Sequence, residues 1–277
     1  MTESPAPLER VSATPAGPTV RNWMGREQQG ESTFARTWRD LAARALLFGA
    51  LVLALAVAPA TASQPAYMKA IDVSHWQRSP DWPAVKADGV QFAIAKATQG
   101  QTFVDGEYAR NRAQSDSLGL AFTAYHFASP DNTRNDAVRE ADHFLATAAL
   151  AGRHLVPVLD LEGKAGGLGP RKLTAWTKAW LGRVQQQLGV KPMIYANPSF
   201  WVNRMGNSRW FADNGYRLWI AHWGATQPTV PAQNWGGRGW TLWQHSNKGS
   251  VAGINGDVDL GRYIGTSLDP LRIKNNR

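Results

Sequence analysis

Two acidic residues follow an apolar segment near the middle of the chain. In VPVLDLE, residues 156–162, Asp160 and Glu162 are separated by a single leucine. Side chains alternate between the two faces of a β-strand, so these carboxyl groups would share one face, with Cα atoms about 6.5–7 Å apart. Repulsion and partial burial would then favour a proton on one of them. A protonated acid beside an ionised one suits cleavage of an acetal linkage.

Other side chains that could act with this pair stand at the ends of further apolar segments. They are, in chain order, Asp72, His75, Trp76, Tyr125, His126, Tyr195, Trp201, His222, Trp223, His245 and Asp259. Exposed aromatic side chains can bind the apolar faces of sugar rings, although most tryptophans bury their large surface in a core. Of the 13 tryptophans, Trp76 and Trp223 are the strongest candidates for the wall of a sugar-binding groove.

The histidines at these segment ends raise the alternative of a metal-dependent hydrolase. The chain has no HxH or HExxH pair, which are common spacings of metal ligands. It also has no cysteine, which excludes a disulfide framework, a thiolate metal site and a cysteine nucleophile. We therefore expect neither a metal nor another cofactor.

The elements that must position these groups alternate between short apolar segments and longer amphipathic ones, a pattern typical of βα units. Strands are predicted over residues 70–74, 92–97, 121–127, 156–162, 192–197, 217–223, 239–245 and 257–260. Helices are predicted over residues 83–89, 106–119, 133–152 and 170–189, whereas 224–239 and 246–256 are rich in Gly, Pro and Asn and predict loops. Eight strands are the number in a closed parallel barrel, whose chemistry collects at the C-terminal strand ends. The fold class predicted is α/β, a single TIM-like barrel with helices reduced or missing in its later half.

The N-terminal segment has the pattern of a secretory signal peptide over residues 36–62. Three arginines precede an uncharged stretch at 45–58, and small residues then suit cleavage before Ser63. A membrane anchor is the weaker alternative, because a spanning helix needs about 20 apolar residues. Residues 1–35 form a polar preamble that we expect to be disordered, and Met24 offers a later start. Residues 63–68 would be a short linker and 266–277 a basic tail.

The chain is basic, with a formal net charge of +9. Removing the first 62 residues, which hold six arginines and five acidic residues, leaves about +8. The basic residues are scattered rather than clustered, which argues against a nucleic-acid-binding arm. We expect an exported monomer, extracellular, wall-associated or periplasmic, that contacts no membrane once the signal is removed.

Several motifs, taken in order and spacing, resemble the glycoside hydrolase family 25 lysozymes, the Chalaropsis-type N-acetylmuramidases. The motifs are IDVSHWQ (71–77), DWPAVKADGVQFAIAKATQG (81–100), PVLDLE (157–162), IYANPSFW (194–201), LWIAHW (218–223) and GINGDVDL (253–260). The resemblance implies a catalytic barrel over residues 69–265. It also implies hydrolysis of the β-1,4 bond between N-acetylmuramic acid and N-acetylglucosamine in peptidoglycan.

The resemblance also implies roles for individual residues. Glu162 would be the general acid, with Asp160 as its partner and Asp72 and Asp259 completing an acidic floor. The residues that would line the groove are Tyr125, Tyr195, Trp201 and Trp223, joined by Trp76. The substrate's own acetamido oxygen could attack the anomeric carbon, while a direct aspartate nucleophile and an inverting water remain open alternatives.

One position departs from the family pattern. The family commonly has KATEG where this chain has KATQG, so Gln99 replaces an acid at the barrel mouth. Glutamine keeps hydrogen bonding but loses the charge, and we expect at most a shifted pH profile or substrate preference. Two other functions stay open: a catalytically inactive wall-binding protein, and a metal-dependent hydrolase of another peptidoglycan bond.

Overall fold

Nine β-strands form one continuous sheet in the computed structural model, which describes residues 67–274. The strands are β1 Met68–Val73, β2 Phe92–Gln99, β3 Phe103–Val104, β4 Ala121–Phe127, β5 Val158–Asp160, β6 Met193–Ala196, β7 Arg217–Ala221, β8 Leu242–Gly249 and β9 Val258–Tyr263. The helices are α1 Trp82–Ala87, α2 Tyr108–Ser117, α3 Asp136–Ala148, α4 Pro170–Leu188, α5 Pro198–Asn203, α6 Trp210–Asp213 and α7 Pro231–Gly236. The predicted preamble, signal segment and most of the linker lie outside the described residues, as do residues 275–277.

The sheet closes on itself into a barrel. Strand β1 pairs with β2 on one side and with β9 on the other, while β3 is a two-residue strand that pairs with Thr98 and Gln99, at the end of β2 beyond its pairing with β1. Eight strands therefore make the barrel, as the sequence predicts. Seven of them, β1, β2 and β4 to β8, run parallel to one another.

The expectation of a wholly parallel barrel is wrong at the last strand. Strand β9 runs antiparallel to both of its neighbours. The connection from β8 to β9 is the short loop 250–257 without a helix, and a parallel return would need a crossover of a dozen or more residues. Strand β9 consequently starts at the mouth where the parallel strands end, which brings Asp259 to that mouth.

Alternation along the strands divides the core into an inner and an outer layer. On β1, Ala70 belongs to the buried cluster inside the barrel, whereas Ile71 and Val73 belong to the cluster beneath the helices. The inner cluster also contains Phe92, Ile94, Val158, Met193, Trp219, Leu242 and Tyr263. Because inward positions recur every second residue, each strand can bring a polar side chain to the mouth above this apolar filling.

The helices thin out along the chain, as predicted. Helices α3 and α4, of 13 and 19 residues, pack on each other over the first half of the barrel, whereas α5, α6 and α7 have six residues or fewer. Where β8 and β9 lack a helix, aromatic side chains cover the sheet: the Arg262 guanidinium lies 5.3 Å from the Trp243 ring and 5.8 Å from Tyr67. Among residues 67–274 no helix is long and apolar enough to cross a membrane.

Two local structures differ from the predicted elements. The segment predicted as a loop at 224–239 contains α7, a left-handed turn in which Ala232 to Trp235 have φ between 50° and 55°. Tertiary bonds hold it: the Trp235 indole donates to the carbonyl of Tyr216 at 2.8 Å. Strand β5 is shorter than the predicted 156–162. It begins after Pro157, which has no N–H for a ladder, and it ends at Asp160, so Glu162 lies two residues beyond the strand.

Candidate active site

All four predicted carboxyl groups line one cavity of about 210 Å³ at the barrel mouth. Asp72 lies at the end of β1 and Asp259 at the start of β9. Asp160 is the last residue of β5, and Glu162 follows two residues after it. Tyr125, Tyr195 and Trp76 line the same cavity. The structure thus brings together acids that are separated by up to 187 positions in the chain.

Asp72 and Asp259 face each other directly across the antiparallel pair of β1 and β9. Burial and the neighbouring charge of Asp259 raise the pKa of Asp72 well above its ordinary value, against the effect of a hydrogen bond from Gln244. Burial also raises the pKa of Asp259, and a hydrogen bond with Asp72 opposes that rise. The pair therefore tends to keep one proton, held on Asp72.

Asp160 and Glu162 form the second acidic pair. Burial, followed by the charge of Glu162, raises the pKa of Asp160 well above its ordinary value. Burial is also the main cause that raises the pKa of Glu162, while the charge of Lys96 opposes the rise in both groups. Asp160 is 7% exposed and one of its oxygens, Oδ1, is buried without a hydrogen-bond partner among the described residues. Glu162 is only partly buried, so its carboxyl can reach a bound molecule.

Lys96 is not among the predicted site residues, yet among residues 67–274 it is the only basic residue that lines this cavity. Its ammonium group donates to Oε1 of Gln99 at 2.7 Å and lies 4.7 Å from the ring centroid of Phe127. Gln99, the position that departs from the family pattern, thus bonds to the one cation near the acids. Because Gln99 is neutral, the charge of Lys96 is left to act on Asp160 and Glu162. The alternation along β2 could have identified Lys96, since it occupies an inward position on an otherwise apolar strand.

A second unpredicted residue, Gln244, links several groups at the mouth. Its Nε2 donates to Oδ2 of Asp72 at 2.9 Å. Its Oε1 accepts hydrogen bonds from the Tyr195 hydroxyl at 3.0 Å and from the Trp223 indole N–H at 2.9 Å. The amide is itself buried. Gln244 therefore fixes the orientation of one carboxyl group and two aromatic side chains at once.

The predicted aromatic residues fall into two groups. Trp76, at 78% exposed, and Trp223, at 49% exposed, stand at the mouth as candidates for sugar stacking. The prediction that Trp201 lines the groove is wrong, because its side chain is 0% exposed and packs edge-on against Trp235 at 4.8 Å. Trp219 lies in the cavity instead and packs against Tyr195 at 4.7 Å.

Two of the four histidines predicted at strand ends, His75 and His126, bond to other side chains. His126 is buried between the Thr98 hydroxyl and the Glu140 carboxyl, at 2.7 Å from each. His75 contacts Asp105 through Nδ1, also at 2.7 Å. Residues 67–274 contain no group of three or more His, Cys, Asp or Glu side chains arranged to hold a metal ion.

The geometry supports acid-assisted chemistry on a neutral, polar linkage. The partly exposed carboxyl group of Glu162, whose pKa is raised, can donate a proton, and the buried Asp72 and Asp160 with the partly buried Asp259 can stabilise positive charge that develops beside it. The exposed indole rings of Trp76 and Trp223 can hold sugar rings. Cleavage of a glycosidic bond needs both a proton donor for the leaving oxygen and stabilisation of positive charge, since it passes through an oxocarbenium-like transition state.

Comparison with known proteins gives a consistent result. Residues 71–254 match the sequence model of the glycosyl hydrolases family 25. The chain is similar to lysozyme M1 of Streptomyces globisporus, with 34% identity over 217 residues, covering 76% of this chain and 72% of that protein. An N,O-diacetylmuramidase of Chalaropsis sp. is 30% identical, over 72% of this chain and 99% of that one. A solved structure of a bacterial lysozyme from Streptomyces coelicolor aligns with a TM-score of 0.68 at 33% identity, covering 74% of this chain and 95% of that chain.

Proposed function

Because the chain belongs to glycosyl hydrolases family 25 and is a glycoside hydrolase, we propose that it is a lysozyme acting on bacterial peptidoglycan. The bond cut is the β-1,4 linkage between N-acetylmuramic acid and N-acetylglucosamine. The observation that carries the proposal is the set of four carboxyl groups around one cavity, in which the partly exposed Glu162 follows the buried Asp160 by two residues.

In the proposed reaction Glu162 donates its proton to the glycosidic oxygen. The bond from that oxygen to the anomeric carbon of N-acetylmuramic acid breaks, and N-acetylglucosamine leaves as the free alcohol. The acetamido oxygen of the same muramic acid bonds to the anomeric carbon and forms a cyclic oxazolinium ion. Water then opens this ring, with Glu162, now ionised, accepting the proton of that water.

The other acids support this sequence by charge and position. Asp160 lies beside Glu162 and orients the acetamido group while stabilising its positive charge. Asp72 and Asp259, with Gln244 fixing the first of them, keep the floor of the cavity negative. This field favours the oxocarbenium-like state over the neutral substrate, which is the condition for lowering the barrier.

The decisive experiment identifies the new ends made from purified peptidoglycan. The domain of residues 63–277 should release fragments whose new reducing ends are N-acetylmuramic acid, and Glu162→Gln should release none. Chelators should leave the activity unchanged. Binding to walls without any cleavage would support the inactive wall-binding protein, and loss with a chelator would support a metal-dependent hydrolase.

The acetamido step has its own test. Peptidoglycan in which the muramic acid has been de-N-acetylated should resist cleavage, because the internal nucleophile is missing. Equal cleavage of both forms would replace this step by a direct aspartate nucleophile or an activated water.

The proposed site of action is outside the cytoplasm. Residues 36–62 would direct export, and the mature protein would begin at Ser63 and act as a monomer on glycan strands. N-terminal sequencing of the secreted protein and its mass in solution test these two points.

A further inference from the structure

The chain contains two Asn–Gly dipeptides, Asn214–Gly215 and Asn255–Gly256. The side-chain amide of an asparagine can be attacked by the backbone nitrogen of the residue that follows it. Glycine favours this attack, because it has no Cβ to hinder the approach and its backbone rotates freely. The nitrogen must lose its proton to react, so a hydrogen bond from its N–H opposes the reaction. The surroundings of each pair therefore decide whether it reacts.

The fold protects the first pair with hydrogen bonds. Asn214 follows helix α6, and its Nδ2 donates to the Trp210 carbonyl at 2.7 Å. The Gly215 N–H donates to the carbonyl of Ala212 at 3.0 Å. The Lys191 ammonium donates to the backbone carbonyl of Asn214 at 2.7 Å. Because both reacting groups are bonded elsewhere, a reaction at Asn214 requires this helix end to open.

The second pair lies in the loop 250–257 between β8 and β9, and both of its residues are exposed. Within residues 67–274, neither the Asn255 side chain nor the Gly256 N–H has a hydrogen-bond partner. Gly256 has a φ of 88°, and a Cβ placed there would meet no atom within 4 Å. The Gly256 nitrogen is therefore free to approach the Asn255 amide.

We propose that Asn255 is a site of spontaneous deamidation, which converts it to aspartate and isoaspartate. The Gly256 nitrogen gives its proton to hydroxide and bonds to Cγ of Asn255, and the Cγ–Nδ2 bond breaks to release ammonia. Water then opens the succinimide ring that has formed. Cleavage of the new Cγ–N bond gives aspartate. Cleavage of the original peptide bond gives isoaspartate, whose main chain runs through Cβ and Cγ and is one carbon longer.

The loop is fixed on both sides of this pair. Before it, the Gly253 carbonyl accepts from the Asp81 N–H at 2.8 Å. After it, the Asp257 carbonyl accepts from Nε2 of Gln77 at 3.1 Å, and Gln77 lines the cavity that holds the four acids. We expect an extra main-chain atom between these two points to displace Asp257 and, two residues later, Asp259. The isoaspartyl form should therefore be the less active one.

The test follows both asparagines in one sample of the purified protein, kept at mildly alkaline pH and analysed by peptide mapping and mass spectrometry. In the folded protein, conversion at Asn255 should be at least roughly tenfold faster than at Asn214, because only Asn214 requires local opening. In urea the two pairs should convert at similar rates, and Asn255→Gln should remove the fast conversion. Equal rates in the folded protein would overturn the proposal. So would an unreactive Asn255 in the folded protein when the unfolded chain reacts.

The effect on activity is measured separately and rests on the proposed function. Conversion is detected by mass, so fresh protein that cleaves no peptidoglycan would refute the proposed function and leave the deamidation site decided by the mass data. We expect kcat/KM on peptidoglycan to fall by roughly three- to tenfold in the isoaspartyl form, because Asp259 is misplaced. Aged Asn255→Gln should keep its activity.

Fresh Asn255→Asp is the matched control, since it carries the new charge on an unaltered main chain. It should stay within about twofold of the wild type, because Asp259 keeps its position. An equal loss in Asn255→Asp, or no loss in the isoaspartyl form, would overturn the displacement of Asp259.

Discussion

The side-chain amide of Gln244 donates a 2.9 Å hydrogen bond to Asp72, a residue 172 positions away in the chain. The same amide accepts from Tyr195 and Trp223. A single neutral side chain therefore connects the acidic floor with the exposed indole of Trp223. Since the network is buried, each of its polar atoms depends on the others for a partner.

Gln244→Met removes this network while keeping the length of the side chain. Tyr195 and Trp223 lose their acceptor, and we expect the free energy of unfolding to fall by about 1–3 kcal/mol. Because Asp72 and Trp223 are no longer held in place, kcat/KM on peptidoglycan should fall by about ten- to a hundredfold. Urea unfolding and fragment release measure the two effects.

The matched control for that change is Gln185→Met. Gln185 on α4 also accepts a hydrogen bond from a tyrosine, the Tyr216 hydroxyl at 3.1 Å. It lines neither the cavity with the four acids nor the neighbouring one beside Trp223. It should lose some stability and no activity. Equal losses of activity in the two variants would contradict a positioning role for Gln244.

The pH dependence of the reaction should depend on Lys96. Burial lowers the pKa of Lys96, whereas the charges of Asp160, Asp105 and Glu162 oppose this change. In return, Lys96 opposes the rise in the pKa of Glu162. In Lys96→Met the pKa of Glu162 should therefore rise further. A general acid works only while protonated, so the alkaline limb of the kcat/KM profile should move to higher pH.

Gln99→Glu tests the same relationship from the other side. The new carboxylate would lie beside the ammonium of Lys96, where Gln99 now accepts its hydrogen bond at 2.7 Å, and would offset its charge. The alkaline limb should move in the same direction as in Lys96→Met, by a smaller amount. Lys178→Met, at a surface lysine that lies over Trp210, is the control. A shift to lower pH in either mouth variant would contradict this account.

Much of this site could be predicted from the sequence because it depends on local patterns. The alternation of VPVLDLE places Asp160 and Glu162 on one face, and strand ends meet at one mouth in a parallel barrel. The barrel and the family resemblance are confirmed. The location of Asp72 at this mouth required only that β1 be recognised as a strand, whereas that of Asp259 also depends on the direction of β9.

What could not be predicted depends on long-range pairing. The direction of β9 follows from the loop before it, which the strand's own residues do not encode. Trp201 shares a motif with Tyr195, yet it lies within helix α5, on the buried face that packs on Trp235 of α7. No local sequence pattern marks Gln244 or Lys96 as a site residue. Their roles follow only from the acids that long-range pairing places beside them.

Asp160→Asn should make the protein more stable at neutral pH and less active. A carboxyl whose pKa is raised by folding binds more protons in the folded than in the unfolded state between its two pKa values. The free energy of unfolding therefore falls as pH rises through that window, from about pH 4 upward. Since asparagine does not titrate, Tm of the variant should exceed that of the wild type at pH 7, by about 2–4 °C for each kcal/mol.

The gap in Tm should close as the pH falls below about 4, where the wild-type carboxyl is protonated in both states. Asp269→Asn, at an exposed carboxyl, should show no such gap at either pH. A variant that melts below the wild type at pH 7 would mean that ionised Asp160 is stabilised in the fold.

Alanine variants of Trp76 and Trp201 should separate effects on substrate binding from effects on the stability of the fold. Trp76→Ala removes an exposed ring beside the acidic cavity, so KM for glycan strands should rise with little change in the free energy of unfolding. Trp201→Ala opens a hole between Phe211 and Trp235 and should cost about 3–5 kcal/mol of stability. If Trp76→Ala instead lost stability without a change in KM, the exposed ring would not contact substrate.

The buried His126–Glu140 pair should matter for stability through its hydrogen bonds. Burial lowers the pKa of His126 to about 3 and raises that of Glu140 to about 8, so both side chains favour their neutral forms. Glu140 Oε2 also accepts from the Ser129 N–H at 3.1 Å. Glu140→Ala would leave this donor and Nε2 of the imidazole unpaired inside the fold, and we expect it to lower the free energy of unfolding by about 1–3 kcal/mol for each unpaired group.

Glu140→Gln distinguishes the hydrogen bonds from the charge. A glutamine keeps an oxygen that can accept from His126 and Ser129 without an ionisable group, so it should retain most of the stability that Glu140→Ala loses. Because burial already favours the neutral acid in the wild type, unfolding in urea at about pH 4, where the carboxyl is largely protonated in both states, should differ little between the wild type and Glu140→Gln. If Glu140→Gln unfolds as readily as Glu140→Ala, the pair is held together by ionic attraction, as an imidazolium and a carboxylate.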